Sequence, residues 1–160
     1  MAAELSHVDA AGAARMVDVS DKGVSARQAV ATGVVRTTSE VVGLITAGGL
    51  PKGDALATAR IAGIMAAKRT PDLIPLCHPI SLSGVTVDVV PQHDSLTITA
   101  TVRTTDRTGV EMEALTAVAV AGLTLHDMIK AVDPAATIDA IRVQTKTGGK
   151  TGSWTRPMDR

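Results

Sequence analysis

Asp127 and Lys130 stand three residues apart near the end of a stretch, Thr108 to Lys130, that reads TGVEMEALTAVAVAGLTLHDMIK. On a helix that spacing is a rotation of about 60°, so a carboxylate and an ammonium share a face and can meet at one small site. Viewed alone, the pair is an ordinary surface ion pair that stabilises by a few tenths of a kcal/mol. Placed in a cleft, each sets the other's proton affinity, because opposite charges roughly 4 Å apart couple by about 4 kcal/mol at an effective dielectric of about 20. At the start of the same stretch, Glu111 and Glu113 are two residues apart. A helix would turn them roughly 200° away from each other, so if both serve one site the chain there is extended and the helix begins after them.

From Ala114 onward, Leu115, Val118, Ala119, Gly122, Leu123, Ile129 and Val132 recur at helical spacing and predict one buried face. From Glu111 to Asp127 such a helix runs about 24 Å at about 1.5 Å per residue. One small-molecule site cannot use both ends of one straight helix. The expectation is a site shared between subunits, the glutamate end of one chain meeting the Asp and Lys end of another through two-fold pairing.

Other chemistry-bearing residues are scattered. Lys52-Gly53-Asp54 combines a lysine, a turn and a helix N-cap, a reasonable hook for an anion. Cys77-His78 lies in TPDLIPLCHP, where three prolines in nine residues argue for a rigid, mostly apolar loop that fixes the direction of His78. Adjacent Cys-His is not a usual chelate and His7, His93 and His126 have no ligand-like spacing, so no metal site is expected. GGKTG near the C-terminus fails as a P-loop because Gln144 stands where the first Gly should be. Lys150 there reads as a flexible lysine, whereas Lys146 at a strand end can still reach a phosphate.

Composition narrows the class. In 160 residues, sixteen basic side chains balance sixteen acidic ones, so no polyanion partner such as nucleic acid is indicated. There is no Phe or Tyr and one Trp, which disfavours a module that stacks bases on aromatic platforms. One cysteine excludes an internal disulfide. No secretory leader and no apolar run approaching a membrane span stand out, so the expectation is a soluble cytoplasmic protein without membrane contact.

The element order places these residues. RMVDVS, residues 15–20, alternates and predicts a short strand; residues 24–36 predict a longer one, with Val24, Ala26, Val30 and Val34 alternating with Ser25 and Arg27. Thr37 to Glu40 has capping-box spacing and opens a helix that ends at Gly48-Gly49; Asp54 caps a second helix over residues 55–68. Residues 83–90 and 95–105 form a hairpin, and residues 137–147 a last strand. The fold expected is α+β: a ferredoxin-like antiparallel sheet with helices on one face and an extra N-terminal strand. It is bounded as a flexible arm over residues 1–14, a single α+β catalytic domain over 15–152 and a flexible tail over 153–160.

Taken together, KGD with ATARIAGIMAAKRT, then DLIPLCHP, GVEMEALTA, DMIKA and KTGGKTG closely resemble the MoaC family, from about Leu5 to Gly152. The resemblance implies a cyclic pyranopterin monophosphate synthase of molybdenum-cofactor biosynthesis. Its members convert 3′,8-cyclo-7,8-dihydroguanosine triphosphate, made by a radical SAM enzyme, into cyclic pyranopterin monophosphate and pyrophosphate. By motif position it implies Asp127 as acid/base with Lys130 beside it, and Lys52 in phosphate neutralisation and proton transfer. It implies Leu76, Cys77, His78, Met112 and Glu113 as substrate contacts and Lys146 and Glu111 as pocket residues; the strand position of Arg27, apart from the resemblance, suggests a phosphate contact. It also implies hexamers built from dimers, with sites between subunits and no resident cofactor; no residue pattern calls for magnesium beside the triphosphate. The competing class is a non-enzymatic α+β module that senses nucleotides with the same lysines.

Overall fold

The computed structural model describes residues 7–158. Its elements run β1 (Ser25–Arg36), α1 (Ser39–Ala47), α2 (Ala55–Lys68), α3 (Thr70–Leu73), β2 (Leu82–Pro91), β3 (Ser95–Asp106), α4 (Glu111–Ile129), β4 (Thr137–Thr147) and β5 (Trp154–Thr155). The strands form one sheet in the order β2-β3-β1-β4-β5 with every pairing antiparallel. The first four strands with α2 and α4 give the split β-α-β arrangement expected of a ferredoxin-like α+β fold.

The core lies between this sheet and the helices. Leu96, Ile98, Ala100 and Val102 of β3 are fully buried, as their alternation predicts. In β1 the alternation runs in the opposite phase from the sequence expectation: Ala29, Ala31 and Val35 face the core, while Val30 and Val34 lie on the other side. Small residues are required there because α4 crosses close above. A Cβ on Gly33 would come within 2.6 Å of Val118 Cγ1. The same logic joins the helices: a Cβ on Gly63 of α2 would meet the Ala117 carbonyl of α4 at 2.9 Å.

α4 is long and apolar enough to cross a bilayer, contrary to the sequence expectation that no run approaches a span. Ala114, Ala117, Val118, Ala121, Leu125 and Ile129 are wholly buried against the sheet and α2, which marks it as a core helix. The buried face is shifted from the one expected, since Leu123 is 60% exposed.

Four local differences bear on the site. Residues 15–20 form no strand; among the described residues the N-terminal segment makes an isolated bridge, Val8 with Ala14, and then runs as a strap. Part of the expected flexible arm, residues 1–6, lies outside the described residues. The α1 cap falls on Thr38, whose side chain accepts from Val41 N, instead of Thr37, whose hydroxyl donates to Asp133. Thr70–Leu73 winds into one helical turn despite the prolines, because Pro71 sits in its first turn where no amide partner is lost. In place of a flexible tail from residue 153, Trp154–Thr155 pairs with Lys146 and Thr145, and residues 159–160 lie outside the described residues.

Candidate active site

Two charged clusters form, one at each end of α4. At its C-terminal end Asp127 accepts from Lys130 Nζ on Oδ1 and from Lys52 Nζ on Oδ2, both at 2.7 Å. A carboxylate in the last turn of a helix faces the negative end of the dipole, and the two ammonium groups offset that. Buried Met128 and Ile129 anchor the turn, and the Lys130 N–H closes it on the His126 carbonyl at 2.9 Å. Lys52 is delivered by a tight turn between buried Leu50 and Asp54, which caps α2 by accepting from Ala57 N at 3.0 Å. Gly53 closes that turn at φ 93°, a conformation open to glycine at little cost. Hydrogen bonds from Lys130 and then Lys52 hold the Asp127 carboxyl down at about 2, ionised across the neutral range.

At the N-terminal end the helix begins at Glu111, so the chain through both glutamates is helical rather than extended. Both still border one cavity of about 430 Å³, because it wraps around the end of the helix. Leu76, Cys77, His78 and Met112 line the same cavity. Glu113 is 3% exposed. Burial raises its carboxyl to about 7 against the pull of its own backbone amide, with the negative Glu111 adding to the rise. Burial and the charge of Glu113 also push the Cys77 thiol up, so Cys77 stays protonated and serves as a wall or weak donor, not as a thiolate nucleophile.

His78 Nε2 lies 2.6 Å from the Val17 carbonyl. A carbonyl can only accept, so Nε2 carries the hydrogen and donates it there. Lys146 Nζ sits 3.4 Å from Glu111 Oε1 beside a smaller cavity of about 140 Å³ that Arg27 also lines. Arg27 donates to the Asp106 and Arg107 carbonyls at 3.0 and 3.1 Å, which fixes its plane.

The structure thus brings Leu76, Cys77, His78, Glu111, Met112 and Glu113 together with Lys146 and Arg27 next door, and it groups Asp127, Lys130 and Lys52 apart from them. The two groups are separated by the length of α4, about 24 Å. Sequence reasoning missed the strap: Val17, Val19 and Lys22 line the large cavity, and Arg107 ties the strap down by donating to the Ser20 carbonyl at 2.7 Å. The Asp21-Lys22-Gly23 turn resembles Lys52-Gly53-Asp54 in composition, and that was the available signal.

Glu113 makes stability depend on pH. Its folded value of about 7 lies above the 4.5 of a free carboxyl, so the unfolded chain loses that proton first as pH rises. Stability is therefore undiminished by this group below 4.5, falls between 4.5 and about 7, and stays lowered above, by up to about 3 kcal/mol. Glu113→Gln is expected to gain that much over the parent as pH rises from 4.5 to about 7 in urea unfolding, and a pH-independent difference would rule the account out.

The fold and the paired clusters define an α+β protein with carboxylates set among lysine and arginine side chains at both ends of one core helix. The chain matches the MoaC family over residues 16–149, and it belongs to that family. It is 67% identical over 153 residues to the "Cyclic pyranopterin monophosphate synthase 2" of Mycobacterium tuberculosis strain H37Rv, covering 96% of this chain and 92% of that one. It is 68% identical over 152 residues to the cyclic pyranopterin monophosphate synthase of Streptomyces coelicolor, covering 95% and 89%. The enzyme of that name from Corynebacterium glutamicum is 59% identical over 151 residues, covering 94% and 97%.

Proposed function

We propose that this chain is a cyclic pyranopterin monophosphate synthase, a lyase converting 3′,8-cyclo-7,8-dihydroguanosine triphosphate to cyclic pyranopterin monophosphate and pyrophosphate in molybdenum-cofactor biosynthesis. The observation that carries it is Asp127 held between Lys52 and Lys130 at 2.7 Å each, in a chain close to synthases over nearly its whole length. A purine-to-pterin rearrangement needs protons moved at several atoms, and a triphosphate needs its charge offset. Asp127 is the acid/base and Lys130 its proton partner. Lys52 neutralises phosphate and shares in proton transfer. Leu76, Cys77, His78, Met112 and Glu113 hold the base and sugar; Glu111, Lys146 and Arg27 border the phosphates. The groups needed are side chains, so no resident cofactor is invoked.

Because the two clusters stand at opposite ends of α4, each site takes its halves from two chains of a dimer, and three dimers make a hexamer. A two-fold axis crossing α4 near its middle sets two such helices antiparallel, bringing Glu113 of one toward Asp127 of the other. Exposed Ile61, Met65 and Leu123 on the outer faces of α2 and α4 support pairing through the helical layer. A cytoplasmic location fits the single unpaired Cys77.

The direct test is incubation with the cyclised GTP intermediate and detection of pyrophosphate and the pterin product; absence of both refutes the assignment. Lys52→Ala is expected to weaken apparent affinity for that substrate by about tenfold while sparing more of kcat. Unchanged KM with a lower kcat would move Lys52 from phosphate binding to the chemistry.

A further inference from the structure

One wall of the cavity of about 430 Å³ at Cys77 and Glu113 comes from outside the sheet and the helices. Val17, Val19 and Lys22 of that wall belong to the strap; the fourth residue is His7, which no element described so far holds in place.

Residues 7–15 make a tight reversal held from within. Val8 bridges Ala14 in antiparallel pairing, the Asp9 amide donates to the Ala13 carbonyl and the Arg15 amide to the His7 carbonyl, both at 2.9 Å. At the tip Asp9 Oδ1 accepts from the Ala11 and Ala13 amides, each at 2.9 Å, and Gly12 takes the positive φ of 82° that the reversal needs. His7 and Arg15 are the paired open ends of this turn. Two residues beyond Arg15, the Val17 carbonyl is bound to His78, and further on the Ser20 carbonyl is bound to Arg107. His7 is thus tied through Arg15 and Val17 to the floor of the cavity it lines.

The two histidines of the cavity are differently placed to serve a ligand. His78 spends Nε2 on the Val17 carbonyl. His7 pairs through its backbone and is itself exposed, so its imidazole, a donor at one nitrogen and an acceptor at the other when neutral, is open to a ligand. The facing wall contributes Leu76, Cys77 and Met112, which are apolar or weak donors, and a nucleoside with polar edges needs more than these supply. We propose that His7 is a further substrate-binding residue: its imidazole hydrogen-bonds the nucleoside part of the substrate, and the turn that carries it closes that side of the cavity. This rests on the proposed function, which seats the base and sugar against Cys77 and Glu113.

Steady-state turnover of the cyclised GTP intermediate by the full chain, with calorimetric titration of GTP and of inorganic triphosphate, which lacks a nucleoside, tests the assignment. His7→Ala is expected to raise KM and to weaken GTP by about five- to tenfold, while inorganic triphosphate stays within about twofold of the parent. Its ligand-free melting temperature should hold, because the residue is exposed. His7→Gln keeps a donor and an acceptor and should recover most of the lost affinity. Unchanged KM and GTP affinity in His7→Ala, equal losses for GTP and inorganic triphosphate, or a loss that tracks a fall in melting temperature shared by His7→Gln would each overturn the proposal. His7-dependent GTP binding in a chain that fails to convert the cyclised intermediate would refute the synthase assignment and leave the contact standing. Conversion by the parent with unchanged KM in His7→Ala would do the reverse.

Discussion

Asp127→Asn is expected to lower kcat by about 10²- to 10⁴-fold while substrate affinity changes by no more than a few-fold. Asparagine keeps the size of the side chain and one acceptor oxygen for a lysine, but it has neither charge nor proton affinity. The parent carboxyl is held at about 2 by hydrogen bonds from Lys130 and Lys52, and a carboxylate so stabilised is a weak base. In the proposed reaction it becomes a useful one when substrate phosphates draw Lys52 away, since losing one of two 2.7 Å partners raises its proton affinity. Charge neutralisation and proton transfer are thereby coupled through one side chain. The measurement is pyrophosphate release under saturating substrate together with equilibrium binding. A nucleotide sensor would show altered affinity or no change at all, and either result would exclude Asp127 from the chemistry.

Mixing Asp127→Asn chains with Glu113→Gln chains is expected to restore activity that neither has alone. In a two-fold pair each site draws Asp127 from one chain and Glu113 from the other. A mixed pair then holds one site with both native residues and one site with both substitutions. Random reassociation makes half the pairs mixed, so about a quarter of wild-type activity should return. Pairs isolated through a different affinity tag on each chain should reach about half. Parents that remain inactive after demonstrated co-assembly would place the whole site within one chain. That would require closing the distance of about 24 Å along α4 by some other route.

The elements that follow a single local rule were legible in the sequence. Asp54 caps α2, the inward residues of β3 are the alternating ones, and β4 spans Thr137–Thr147 as its pattern predicts. Where neighbours impose the rule, the sequence misleads. β1 buries its alanines because the passage of α4 above Gly33 leaves room for nothing larger, so hydrophobicity points to the wrong face. RMVDVS alternates because Val17 and Val19 face a cavity, yet its backbone is held by His78 and Arg107 instead of a neighbouring strand. Alternation records what side chains face and is silent on what the backbone pairs with. The separation of Asp127 from Glu113 followed from helix geometry, whereas the roles of individual residues came from family resemblance. Lys22 gave no sign beyond its turn, since only the course of the strap brings it to the cavity at Cys77 and Glu113.

The short strand after the glycine loop gives the molecule a second property. Trp154 pairs directly with Lys146, and the Arg156 guanidinium lies 5.6 Å from its ring centroid. The chain has no Tyr and one Trp, so all of its near-ultraviolet emission comes from that indole. It sits on the strand that follows the loop carrying Lys150 and pairs with β4 at Lys146, with a cation above its face. The protein therefore contains its own single-site optical label, and ligand entry beside Lys146 can be followed by intrinsic fluorescence without attaching a dye.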